Sequence, residues 1–165
     1  MKKYFAVVLV LALSVISVGA FAISKTTENH LVNNCDNVKD QLVTLQHSDA
    51  KARVYLGRYY ETILNKFIVP LNLRLVENNT SDTTLIENQS NFSNARGKFV
   101  EDFIDYQKNL EELVAMDCKT EPGKFYEKLD TVRAKRTVAN KDVLKLRELA
   151  GKQVELVKVL MEKTK

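Results

Sequence analysis

Two cysteines, Cys35 and Cys118, and two histidines, His30 and His47, are the residues of this 165-residue chain most readily assigned a chemistry. A thiol can be a metal ligand, a nucleophile or half of a disulfide. A structural zinc site takes about four ligands. His30 lies near Cys35, but the sequence supplies no evident third or fourth ligand. There is no Cys-x-x-Cys for redox exchange and no Cys-x-x-Cys-His for haem attachment. A nucleophile elbow, a phosphate loop and a catalytic carboxylate pair are also missing. The expectation is therefore no catalytic residue, no cofactor and no metal. The thiols read as a structural pair, if the elements around them bring them together.

The start of the chain bears on whether they can be oxidised. Lys2 and Lys3 form a positive region, and Tyr4 to Ile23 carries no charge and is nearly all apolar. Ala20 and Ala22 make the small-x-small pattern that signal peptidase accepts, so cleavage is expected after Ala22. The apolar run of residues 4–23 is also long enough for an uncleaved anchor, a membrane tether. Either way, residues 23–165 are expected to face an extracytoplasmic, disulfide-permissive space, whether periplasmic, secreted or cell-surface. Without Lys2 and Lys3 the balance is 23 basic to 21 acidic residues, which is not the signature of a nucleic-acid binder.

The elements that must position the thiols are helical. Gly is present 5 times and Pro twice in a chain that is 45% hydrophobic and 28% charged, and no period-two run of useful length occurs. Three segments carry helical spacing, at about 31–76, 82–116 and 122–163. The first follows Cys35, Val38, Leu42, Leu45, Asp49, Ala52, Leu56, Tyr59 and Ile63 in steps of three and four. Gly57 weakens it, and Pro70 is expected to kink or end it. The second follows Leu85, Phe92, Ala95, Phe99, Phe103, Tyr106, Leu110 and Leu113. The third follows Phe125 through Leu160, with Arg136 and Gln153 as its polar members. "ENNTSDTT" and "DCKTEPG" read as reversals, with Ser81 or Asp82 capping the second helix and Thr120 the third. Short polar connections make neighbours antiparallel. The predicted fold is all-α: an elongated, coiled-coil-like antiparallel three-helix bundle in up-down-up order.

That order fixes a register. Counted from residue 79, Cys35 and Cys118 fall at nearly the same level, which predicts a Cys35–Cys118 disulfide. Matching Phe125 with Val38 then sets Arg136 opposite Asp49, the two charges that interrupt their seams, with Tyr106 near that level. A structural polar layer of Asp49, Arg136 and Tyr106 follows, serving register rather than catalysis. The competing reading has either charge turning out to solvent.

Residues 82–117 carry a net charge of −5 and residues 119–165 a net of +6. Complementary helix flanks account for this; a basic outer face for an anionic partner is the sharper alternative. "RVYLGRYY" is expected to place Tyr59 in the core, flanked by Tyr55 and Tyr60, rather than to form a stacking platform. Asn78, Asn79, Asn88 and Asn91 each begin an Asn-x-Ser/Thr triplet, read here as Asn-rich loop chemistry. In size, export signal and helicity the chain resembles small exported helical proteins, among them periplasmic holdase chaperones. It lacks the Leu-Thr-x-x-Gln repeats of one such group, so no functional residue carries across. The expected function is that of an exported helical-bundle protein of structural or protein-interaction type, with a protein or cell-envelope component as partner. The alternative is a holdase binding unfolded clients.

Overall fold

A computed structural model describes residues 24–163. Residues 4–23, with the Ala20 and Ala22 cleavage pattern, lie outside the described residues. Within them the chain is all-helical, with no strand. The helices are α1 (Lys25–Asn33), α2 (Cys35–Thr62), α3 (Val69–Glu77), α4 (Thr83–Ala115) and α5 (Pro122–Lys163). A π-helical segment, Ile63–Ile68, joins α2 to α3. At 1.5 Å per residue α5 is about 63 Å long.

Helix starts and stops follow local chemistry. Ser24 caps α1 by accepting Thr27 N–H at 3.2 Å. Asp82 caps α4, its Oδ1 accepting from Thr84 N at 2.8 Å and Leu85 N at 3.2 Å. Asn79 ends α3 in the left-handed region, φ 55°. Thr80 N donates to Leu75 O and Asn79 N to Val76 O, the bond pattern that closes a helix around a left-handed residue. Thr120 does not cap α5. The carbonyl of Glu121 accepts Phe125 N at 3.0 Å, while Asp117 Oδ1 takes Lys119 N at 2.8 Å and shapes the turn.

Pro70 neither ends nor breaks the first helical run. A proline has no N–H and its ring crowds the carbonyl four residues back. Here the π-segment lies immediately ahead of it, and Val69 N bonds Leu64 O, five residues back. The wider turn removes the conflict and the helix continues to Glu77.

The core runs through Leu42, Tyr60, Ile68, Phe92, Phe99, Tyr106, Leu113, Phe125, Leu146 and their neighbours. Every apolar residue of the second predicted line is buried in α4 except Ala95, which is half-buried. The first line is corrected at its far end. Tyr59 is 50% exposed and Tyr60 3%. A strict three-four alternation slips on a straight helix. At 100° per residue Tyr59 lags Cys35 by roughly 120°, whereas Tyr60 falls within roughly 20° of it. The same slip puts Leu149 in the core beside Ala150 on α5.

The helix α4 runs closely along α5 and also along α2, and α3 packs on α4. Cys35 at the start of α2 meets Cys118 just beyond α4, so those helices are antiparallel. Contacts between α2 and α5 advance in the same direction on both, from Asp49–Arg136 to Tyr60–Val143.

Candidate functional site

At one end the disulfide Cys35–Cys118 joins positions 83 residues apart, with Cα atoms 5.7 Å from each other. Cys118 is completely buried and Cys35 nearly so. Lys39 Nζ donates to the carbonyl of Met116, the residue that ends α4, at 3.1 Å, and Lys119 pairs with Asp36 at 2.8 Å. Both reinforce the closure from outside. His30 and His47 are exposed, and no group of three His, Cys, Asp or Glu among the described residues is placed to hold a metal.

Midway along, Asp49, Tyr106 and Arg136 meet. Arg136 Nε donates to Asp49 Oδ2 at 2.7 Å and Arg136 Nη2 to Oδ1 at 3.1 Å. The fully buried Tyr106 hydroxyl donates to Oδ2 at 2.8 Å. The Asp49 side chain is 15% exposed and that of Arg136 45%, so the guanidinium reaches in from the rim. Burial is the largest influence on the Asp49 carboxyl and pushes its pKa up. The hydrogen bonds from Arg136 and Tyr106, with the Arg136 charge, outweigh it and hold the carboxyl below its usual range. Burial, then the bond to Asp49, pushes the Tyr106 phenol well above its ordinary value. These groups satisfy one another: the Asp49–Arg136 ion pair and the Tyr106–Asp49 hydrogen bond together occupy the carboxylate.

A pair of acidic residues between α4 and α5 was not expected. Asp142 on α5 faces Asp102 on α4, and its Oδ2 is buried without a donor. Burial, then the hydrogen bond and negative charge of Asp102, raise the Asp142 carboxyl to about 6. Asp102 is held low by Lys98, 2.7 Å away. Salt bridges Lys128–Glu112 and Lys135–Asp105 join the acidic helix to the basic one.

Towards the other end the core turns polar. Asn88 Nδ2 donates to Leu149 O at 3.2 Å and Gln153 Oε1 at 2.8 Å. Asn72 Nδ2 donates to Leu85 O at 3.1 Å and Gln89 Oε1 at 2.8 Å. The Asn88 triplet is therefore a core amide, whereas Asn78, Asn79 and Asn91 are exposed.

Alongside this layer α3 keeps to α4, and a groove of about 780 Å³ opens between the π-segment with α3 on one side and α5, including Gln153, on the other. Its apolar surface includes Phe67, Leu71, Val154 and Val157, and Phe67 is 65% exposed. Lys66, Arg74, Arg147 and Lys158 also line it, and among the described residues no carboxylate does. Tyr59 stands at one end, stacked on Tyr55 with ring centroids 6.4 Å apart. The sequence reading missed this groove. Its signal was present: Arg147, Gly151, Val154 and Lys158 form one stripe in steps of four, three and four beside the core line.

No family model matches the chain, and neither a curated protein nor a solved structure is found similar to it.

Proposed function

We propose that the protein is an exported, non-enzymatic helical bundle of interaction type, with three helical arms in up-down-up order. One end is stapled by the disulfide and the other presents a binding groove to a protein or cell-envelope component. The observation that carries this reading is the groove itself, with large apolar side chains such as Phe67 left uncovered beside cations. The disulfide is consistent with an oxidising compartment. Among the described residues no helix is long and apolar enough to cross a membrane, so a membrane tether would rest on residues 4–23. In the test, wild-type protein and Phe67→Asp are each used to recover partners from the native envelope. A partner retained by wild type and lost with Phe67→Asp supports the reading. Identical recovery with both removes its basis.

Exposed Phe67, Leu73 and Val76 favour a second reading, a holdase for unfolded clients. A holdase suppresses aggregation of a denatured model protein at near-stoichiometric ratio, and a dedicated interaction protein does not.

A further inference from the structure

We propose that the groove between α3 and α5 binds a single-chain anionic amphiphile, a long-chain carboxylate. This rests on the reading of the groove as a binding surface and names its ligand. The volume of about 780 Å³ lies in the range of small-molecule sites, roughly 300–1,000 Å³. From Arg147 to Lys158 one wall runs about 16 Å, three helical turns, enough to lay an acyl chain along Val154 and Phe67.

Charge selects the head group. Lys66, Arg74 and Arg147 make no ion pair with any described residue, and Lys158 has only the exposed Glu155, 2.9 Å away. Arg74 and Lys158 lie about four turns beyond the Tyr60–Val143 hydrogen bond, so both sit at the end of the groove nearest the first reversal. A guanidinium and an ammonium there offer charge-assisted bonds to a carboxylate. A comparable groove of about 590 Å³ near the disulfide end shows the contrast. Its guanidiniums, Arg133 and Arg136, are already neutralised by Asp130 and Asp49.

Other occupants fit less well. The chain's own leading residues carry Lys2 and Lys3 and join the described helices at Ser24, by the disulfide end. A second copy docking face to face would bring like cations together. Three turns of a partner helix, about 10–12 Å across, displace more than about 1,200 Å³ and would seat only in part.

The test is calorimetric titration of the oxidised, exported protein with dodecanoate and with dodecyltrimethylammonium, each below its micelle concentration. The chains match in length and the heads carry opposite charge. Dodecanoate should bind one to one, at least about tenfold tighter than the cation. Arg74→Glu and Lys158→Glu should each weaken dodecanoate about tenfold with unchanged helicity. Gly151→Leu should abolish binding while keeping the fold, since nothing lies within 4 Å of an added Cβ and leucine is the better helix former. Equal affinity for the two heads, or variants that bind dodecanoate as wild type does, would overturn the proposal. Sedimentation with phosphatidylglycerol vesicles without dodecanoate binding would also overturn it, in favour of a membrane surface. A Phe67-dependent partner without dodecanoate binding would sink the amphiphile and leave the interaction reading standing. Loss of both would sink both.

Discussion

Asp49 serves two donors at once, and its removal is unequal to the removal of either. Asp49→Ala leaves the Tyr106 hydroxyl buried without an acceptor, at a cost of about 2–3 kcal/mol. Arg136→Ala costs about 1 kcal/mol, because that side chain is nearly half exposed and Tyr106 still bonds Asp49. Denaturant unfolding of both single variants and the double variant should give a coupling of at least about 0.5 kcal/mol. Additive effects would mean the pair plays no part in register. The pH sign is also set here. The folded carboxyl of Asp49 lies below its unfolded value of 3.8, so its contribution is present above that pH and is lost as pH falls through the folded value. Asp142 has the opposite sign. Its folded carboxyl is raised from 3.8 to about 6, so stability falls as pH rises through that window and the penalty is complete above it. Asp142→Asn should leave melting almost unchanged at about pH 4 and raise Tm by about 1–3 °C at about pH 7.5. Stabilisation of equal size at both pH values would show that the raised carboxyl is not its source.

Helix by helix, the sequence was most legible where apolar spacing and packing agree. The α4 line and the first half of α5 were read almost residue for residue, because large apolar side chains such as Phe99 and Leu110 have no other favourable face. The cysteine level and the Asp49–Arg136 alignment came from counting alone, since α2 and α5 rise together at the same pitch. Legibility failed in three kinds of place. Tyr59 was misassigned because a strict heptad drifts on a straight helix. The passage through Pro70 was misread because a π-turn, a choice of backbone bonding with no residue signature, absorbs the proline. Asn88 was read as loop chemistry and the burial of Asn72 was not foreseen, because both depend on partners elsewhere in the chain. Two helical glycines give a clean element-level test. Gly57 and Gly97 have nothing within 4 Å of an added Cβ. Gly57→Ala and Gly97→Ala should each add about 1 kcal/mol in denaturant unfolding. A loss at either position would mean the helix there is closely covered by a neighbour.

At the scale of the whole molecule, the two ends are built differently. The end bearing the disulfide is closed by Cys35–Cys118, by Lys39 on Met116 O and by Lys119 on Asp36. The far end holds an amide layer alongside the cation-lined groove. On the proposed function, the covalently fixed end holds the helices together and the other end binds. Closing an 83-residue separation contributes about 4–5 kcal/mol on the chain-entropy account. Cys35→Ser with Cys118→Ser should lower stability by up to that amount, while the groove, at the opposite end, keeps its ligand affinity in the folded variant. All of this presumes export to an oxidising space. The most direct measurement is the intact mass and non-reducing peptide map of protein recovered from its native compartment with thiols blocked at lysis. The expected result is a chain two hydrogens lighter than its reduced form, beginning at Ile23 if the leader is removed, with one peptide linking Cys35 to Cys118. Two blocked free thiols in that material would contradict the account.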